Sequence, residues 1–561
     1  MIPRMWSNRP RLELSPARLL VLSLLPILAL LPPETRGESM AGCAALIAVL
    51  ALMGWRRSGA NLSGQATLLV IAAVALPLTW VALAPAAAVE PLAVGLLAGA
   101  AGLGVASADL GDRHRRLVTT VLAVVAAWVA LQALYQWAWG LDRLAEVVGQ
   151  DPALPDREAI LVRLDRGRPF ASFATPAALG GFLTLALPVT VALAWAARGA
   201  ARLAWVAAAA CQVGALLAAA SATAAAALLG SVLLALWAWS SARRTLVVVG
   251  LVSILLLGAV VLLRGDRLTD LSDPEGPWRL RAGNFRAAWS MAADHPWTGV
   301  GPGGFSEAYP TYRRPGDNET RHAHNLPLEL AAETGWPVGI ALALLFFGLF
   351  LQPLWRERSG PLWRRGLVLG LAAFALQNLA DFSAFMPSLL WTAALLRGTL
   401  TRPGSEDRDV VAPSPVLAAF SLALVLLAAA LAGLIGLSSN AFVAARSAAF
   451  AEQPARALEL ASRAAGLSPW DADASLLLAR ITADQAGELA LERADRAVAL
   501  SPVRPSAREL RSRIRMSTGD PLGAYADLCE AARLYPLHEG YAAARDSLQE
   551  SLEAAAGGRV R

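Results

Sequence analysis

The sequence predicts an all-α polytopic membrane protein with about 13 transmembrane helices followed by an α-solenoid. Three observations carry that expectation. Of 561 residues, 56% are hydrophobic and only 16% are charged, whereas a soluble chain is about one quarter charged. Apolar runs of bilayer-crossing length recur through residues 1–438. From residue 439 the composition turns charged and amphipathic, and one phrase returns three times.

The N-terminus carries Arg4, Arg9, Arg11 and Arg18 before an apolar run. Basic residues ahead of such a run also mark secretory signals, but no small-residue cleavage site follows. The run reads as the first membrane helix. Spans are expected at 16–33, 40–55, 65–84, 91–107, 117–139, 171–196, 201–219, 222–240, 245–263, 327–354, 362–380, 383–397 and 414–437. The loops test this reading, because basic residues favour the cytoplasmic side. With the N-terminus inside, the inside loops hold Arg56 and Arg57, then Arg113, Arg115 and Arg116, then Arg198 and Arg202, then Arg243 and Arg244. Arg356, Arg358, Arg364 and Arg365 follow, and finally Arg397 and Arg402. The opposite loops include two long ones, 140–170 and 264–326. An odd number of spans puts everything after residue 438 outside.

The segment 440–556 repeats ALELASRAAGLSPW from Ala457, ALERADRAVALSPV from Ala490 and AYADLCEAARLYPL from Ala524. Pro469, Pro502 and Pro536 end these phrases at intervals of 33 and 34 residues. That period matches the tetratricopeptide repeat, and proline cannot continue a helical ladder. Domains are expected at 1–438 and 439–561, the second a tetratricopeptide-like surface for a protein partner. The repeats offer no catalytic constellation, so a truncation near residue 440 is expected to keep some activity.

The net charge of +6 does not point to nucleic acid, since all 49 basic residues are Arg and the composition is membranous. Cys43, Cys211 and Cys529 are too scattered for a disulfide framework or a metal site. The one Asp-x-Asp, Asp471-Ala472-Asp473, reads as a helix cap. No metal and no cofactor is expected. Long loops in compact proteins are usually functional, so chemistry is sought in the two outer loops. The run Gly299-Val-Gly-Pro-Gly-Gly lacks the strand and the Gly-Lys-Ser/Thr of a phosphate loop; its glycines suit tight turns or close approach to a ligand.

Three stretches occur in a telling order: RPFASFATP (168–176), RAGNFRAAWSMAADHPWTGVGPGGF (281–305) and HNLPLELAAETG (324–335). Together they resemble the O-antigen ligase and O-antigen polymerase superfamily of bacterial inner-membrane glycosyltransferases, over roughly residues 117–397. Thr175-Pro176-Ala177 stands where the family usually has Asn-Pro-Asn, and Phe285 where Trp is frequent. The resemblance implies transfer of a glycan from an undecaprenyl-diphosphate carrier, on the outer face of the inner membrane, to a glycan, lipid or protein hydroxyl. It implies Arg168 and Arg281 as the pair on the diphosphate, and His324 as base or orienting group. Arg stays charged and its fork matches phosphate oxygens, and a His can take a proton near neutral pH.

Arg313, Arg314, Arg321, His322 and Glu333 are further expected substrate contacts, each with a plain alternative as a solvated loop residue or helix cap. Asp381, at a span junction, is a weaker candidate, and no Trp is assigned to sugar stacking. A non-catalytic scaffold of a polysaccharide assembly complex and a protein O-oligosaccharyltransferase are the alternative readings. A transporter would show broken helices in paired halves, and no such pair is found.

Overall fold

The computed structural model describes residues 15–32, 34, 37–58, 83–106, 110–150, 154, 157–239, 247, 250–251, 253–255, 258–259, 276–401, 415–483 and 487–557. Every extended regular element among them is a helix. In the first half these are α1 (Pro16–Leu30), α2 (Gly37–Ser58), α3 (Val89–Ala106) and α4 (Asp112–Tyr135). A π-helical turn, Gln136–Gly140, joins α4 to α5 (Leu141–Gln150), and α6 (Arg157–Asp165) folds back on α5. Then come α7 (Pro176–Ala196), α8 (Gly199–Ala219) and α9 (Ala222–Ala238). Their starts follow ordinary capping chemistry. The Thr175 hydroxyl accepts from the Ala178 N–H at 3.0 Å, with Pro176 in the first turn, so Thr175 caps α7.

The second half holds α10 (Pro277–Asp294), α11 (Phe305–Tyr312), α12 (Leu326–Thr334), α13 (Trp336–Leu351), α14 (Pro353–Arg356), α15 (Leu362–Gln377) and α16 (Pro387–Thr399). The 36-residue α17 (Pro415–Phe450) follows. The chain ends in α18 (Pro454–Leu467), α19 (Ala472–Thr482), α20 (Gly487–Leu500), α21 (Pro505–Ser517), α22 (Pro521–Leu534) and α23 (Glu539–Gly557), each packed on the next. Pro469, Pro502 and Pro536 lie in the turns after α18, α20 and α22, and Asp471 caps α19 through the Asp473 and Ala474 N–H groups, as its sequence suggests.

Six helices among the described residues are long and apolar enough to cross a membrane: Val89–Ala106, Asp112–Gln150, Pro176–Ala196, Gly199–Ala219, Trp336–Arg356 and Ala419–Phe450. Pro16–Leu30, Gly37–Met53 and Ala222–Ala238 are apolar but shorter. This is a membrane protein, and the described residues hold fewer full-length spans than the 13 expected of the whole chain. The expected span at 65–84 lies almost wholly outside the described residues, and most of 245–263 does too. The expected 362–380 and 383–397 are the short helices α15 and α16, 16 and 13 residues long. At 1.5 Å per residue they reach about 24 and 20 Å, short of a ~30 Å hydrocarbon layer. Both are buried inside the bundle, where they need not meet lipid along their whole length. The expected 327–354 is broken at Gly335, whose φ of 77° no helix accommodates, so α12 stands apart from the membrane helix that begins at Trp336.

Helix α7 is buried along most of its length and packs closely on α15. A side chain at Gly370 would overlap the Leu185 backbone, and one at Gly37 would overlap Gly436 where α2 meets α17. Such small-residue contacts let helices approach where lipid offers no hydrophobic drive. The composition change at 438/439 falls within α17, whose 36 residues span about 54 Å. Its C-terminal end packs on α18, and the Ser438 hydroxyl donates to the Ala464 carbonyl at 2.9 Å. The helices from α18 onward lie on the same side of the bundle as the 276–324 segment, because α22 packs against α11.

Candidate functional site

The segment 276–334 folds around a small core of its own, made of Ala287, Ala288, Met291, Val300, Phe305, Ala308, Tyr309, Ala323 and Ala332. Its glycine run has a structural task. The Val300 N–H donates to the Ala332 carbonyl at 2.8 Å and the Gly301 N–H to the Glu333 carbonyl at 2.9 Å. Gly299, at φ 64°, lies so close that a side chain there would overlap the Glu333 and Thr334 backbone. The run therefore clasps the C-terminal end of α12.

The other end of α12 carries the histidines. Asn325 caps the helix, its side-chain oxygen accepting from the Leu328 N–H at 2.9 Å, and its amide donates to the Leu379 carbonyl at 2.9 Å. The Leu326 N–H donates to the Asn378 carbonyl, also at 2.9 Å. These bonds tie the start of α12 to the end of α15. Glu329, buried in the first turn of α12, accepts from the His322 Nδ1–H at 2.7 Å and from the Ala323 N–H at 2.8 Å. The His322 ring stacks on Phe382 at 4.8 Å and Phe385 at 5.0 Å. His324 meets the same Phe382 ring edge-on at 4.8 Å. Its backbone is in the left-handed region, φ 59°, which a β-substituted residue adopts only under constraint. Its Nδ1 is buried without a hydrogen-bond partner. An unmet buried nitrogen typically costs about 1–3 kcal/mol, and a catalytic role is one of the explanations such an exception admits.

Burial, then the nearby Arg281 charge, then His322, pull the His324 pKa down to about 3. Burial thus favours the neutral imidazole. Arg281 sits on α10 with its guanidinium 5.5 Å from the Trp278 ring centre. Burial lowers its pKa and Asp381 opposes that shift. Asp381 is fully buried, accepts from the Gln377 amide at 2.8 Å and from the Phe382 N–H at 2.8 Å, and lies within electrostatic reach of both Arg281 and Arg168. Burial raises its carboxyl pKa against the pull of those partners.

Arg168 reaches this cluster from the 166–175 loop. The Gln136 side-chain oxygen, in the π-helical turn, accepts from the Phe170 and Ala171 N–H groups at 2.8 and 2.7 Å. The Arg168 Nε–H donates to the Ala219 carbonyl at 2.8 Å. Asp381 thus lies within electrostatic reach of Arg168 and Arg281, and Arg281 within reach of His324, although 156 residues separate Arg168 from His324.

The remaining expected contacts are placed differently. Arg321 is exposed beside the cluster, and Glu90 lies within electrostatic reach of Arg321, His322 and Asp471. Arg313 is held by the Asp317 carbonyl at 2.8 Å, by Glu319 at 3.1 Å and by the Tyr535 hydroxyl, away from His324's ring contacts. Arg314 is exposed, its N–H bonded to Asp317. Glu333 points behind α12, accepting from the Phe305 N–H at 3.4 Å. Sequence reasoning did not single out Glu329 or Phe382. A carboxylate in the first turn of a capped helix reads as ordinary dipole compensation, and a Phe at a span junction reads as packing. The signal for Phe382 is its place directly after the polar pair Asn378 and Asp381.

Burial, then Glu329, push the Glu333 pKa up to about 8. The unfolded chain ionises this carboxyl near the ordinary 4.5, so between that pH and about 8 the unfolded state has lost a proton that the folded state keeps. Stability must fall as pH rises through that window. We expect Glu333→Gln to raise the melting temperature at pH 8–9 and to leave transfer near wild type at pH 7. A collapse of transfer at pH 7 in a folded Glu333→Gln protein would show that substrate needs this carboxylate.

Comparison with known families finds the O-antigen ligase family, whose model matches residues 207–344. That region runs from within α8 into α13 and includes Arg281, Arg321, His322 and His324. Arg168 and Asp381 lie outside it. No curated protein and no solved structure matches the chain. The central region is similar to a family of membrane glycan ligases and polymerases.

Proposed function

We propose that this protein is a bacterial inner-membrane glycosyltransferase of O-antigen ligase or polymerase type, moving a glycan from an undecaprenyl-diphosphate carrier onto an acceptor hydroxyl. Arg168 and Arg281 within reach of one buried carboxylate, with Arg281 also near the unsatisfied His324, carry this reading, together with the family match over two of the three residues. In the step, the acceptor oxygen attacks the anomeric carbon of the donor sugar. The bond from that carbon to the diphosphate oxygen breaks, and undecaprenyl diphosphate leaves with the electron pair. His324 takes the acceptor's proton. Arg168 and Arg281 stabilise the charge on the leaving diphosphate, the role in which fixed forks of donors are most effective. Asp381 and His322 hold an arginine pair and the His324 loop in place. A lipid-linked donor keeps its tail in the bilayer and its glycan in water, so its breaking bond lies at the boundary where these residues gather.

The test uses the purified full-length protein in liposomes, supplied with the lipid-linked glycan extracted from a strain deleted for this protein and with membranes of that strain as acceptor. Transfer should proceed in EDTA, because the arginines supply the positive charge. Arg168→Lys should lose most of it, since an ammonium cannot reproduce the planar fork. Strict dependence on a divalent ion, or full activity in Arg168→Lys, would overturn the mechanism. The same deletion strain distinguishes ligase, polymerase and protein transferase by whether lipopolysaccharide, free polysaccharide or glycoprotein is lost.

We further place the N-terminus in the cytoplasm and the helices after residue 438 outside the inner membrane, as a tetratricopeptide-like array. The basic inside loops support this orientation, and the packing of α22 on α11 requires the array and the site loop to share a side. Alkaline phosphatase fused after residue 557 should be active, and a cytoplasmic reporter there silent. The opposite pattern would put array and site together in the cytoplasm.

A further inference from the structure

The C-terminal helices do more than lie near the site loop. The Arg504 guanidinium, in the turn before α21, binds Glu307 on α11, with Nε–H donating to Oε2 at 3.0 Å and a second, shorter bond to Oε1. The Ser501 hydroxyl donates to the same Oε2 at 2.7 Å. Arg504 also reaches Asp473 at 2.5 Å, beside the α19 cap. Only 13% of the Glu307 side chain and 15% of the Arg504 side chain remain exposed, so this ion pair is far from a solvated surface contact. Beside it, the Thr311 hydroxyl donates to the Leu534 carbonyl at 2.9 Å, and the Tyr535 hydroxyl donates to Glu319 at 2.9 Å.

From Glu307 a short run of contacts leads to the histidine. Glu307 sits in the first turn of α11, and the first N–H of that helix, from Phe305, donates to Glu333 on α12. The glycine clasp binds the same end of α12, and Glu329 on α12 holds His322 and Ala323. The α12 start and the strained His324 backbone follow directly in sequence.

We infer that the Arg504–Glu307 pair is a positioning contact through which the C-terminal array sets the geometry of the His324 loop, so that the array is part of the transferase and not only a recruiting surface. The pair is built for this. It is bidentate, which fixes orientation as well as distance. It is shielded from water, so salt screens it little. It joins two segments far apart in sequence, beside the Thr311–Leu534 and Tyr535–Glu319 bonds. The role of His324 itself rests on the function proposed above; the mechanical coupling does not.

Two readouts separate these claims. Hydrogen–deuterium exchange of the full-length protein in nanodiscs reports on the loop without any substrate. Arg504→Gln and Glu307→Gln should each speed exchange of peptides covering 305–334 by about 10-fold or more, and leave those covering 176–196 unchanged. The double variant should be no worse than either single one, because one contact is lost once. Arg511→Gln, which breaks the array's internal pair with Asp527, is the control for general loosening; it should spare 305–334. In the liposome assay with donor extracted from the deletion strain, both Gln variants should lower kcat by about 10-fold with little change in donor KM, the pattern of lost alignment. Unchanged exchange at 305–334, additive losses in the double variant, or an equal effect of Arg511→Gln would overturn the inference. An active His324→Ala protein alongside the expected exchange pattern would instead overturn the catalytic reading and leave the coupling standing.

Discussion

Transfer should fall by about 10² or more in His324→Ala and in Arg281→Ala, the scale of losing a general base or a principal charge stabiliser. The two losses differ in kind, and pH tells them apart. In the free enzyme burial and the Arg281 charge hold His324 down to about pKa 3, so it stays neutral far into acid. The acid limb of kcat/KM should therefore lie well below pH 6. When the diphosphate binds, its negative charge offsets Arg281, and the imidazole regains affinity for a proton. The acid limb of kcat, which reports the bound complex, should lie at higher pH than that of kcat/KM. Arg281→Ala should shrink that separation as well as the rate. Initial rates from pH 4 to 9 with the extracted donor check this. Near-normal turnover in a folded His324→Ala protein would falsify the assignment.

Removal of the array should abolish transfer. The sequence alone suggests the opposite, because the repeats carry no catalytic group. In the structure, ending the chain at Phe450 strips Glu307 and Thr311 of their C-terminal partners and takes the Tyr535 hydroxyl from Glu319 at once. Breaking a shielded ion pair from one side typically costs about 3–5 kcal/mol, since the remaining charge is left uncompensated. A loop with only a small core cannot absorb that loss without moving. The truncated chain should insert into membranes, retain the α7–α15 core, and show transfer reduced at least as far as in His324→Ala. The measurement is the liposome assay on truncated protein shown by size-exclusion chromatography to be monodisperse. Substantial residual transfer would return the array to a purely recruiting role.

What the sequence disclosed follows from how local each signal is. The membrane helices are legible because apolarity is written into every residue of a span. The cap at Asp471 is legible because a cap depends on three neighbouring residues. The break at Gly335 was readable in principle, from Asn325 as cap, Gly335 as terminator and Pro337 just beyond. Hydropathy hides it, because α12 and α13, on either side of the break, are both apolar. The association of Arg168, Arg281 and His324 came from the order of motifs, which says that residues belong together without saying how. Asp381 is only a weaker candidate from its sequence, and the fold brings it within electrostatic reach of both arginines. The expectation for Arg313 as a substrate contact rested on its charge and position, and only the fold reveals Tyr535 and Glu319 engaging it. Contacts such as Glu307 with Arg504 carry no sequence pattern, since nothing in either neighbourhood names the other.

That last pair also imposes an order on the protein's birth. Its members lie 197 residues apart. Ribosomes add roughly 5–20 residues per second, so about 10–40 s pass between synthesis of the site loop and arrival of the arginine that steadies it. For that interval Glu307 has neither Ser501 nor Arg504 to pair with. If the array aligns the His324 loop as inferred above, a chain still being made lacks that alignment until its C-terminal helices are in place.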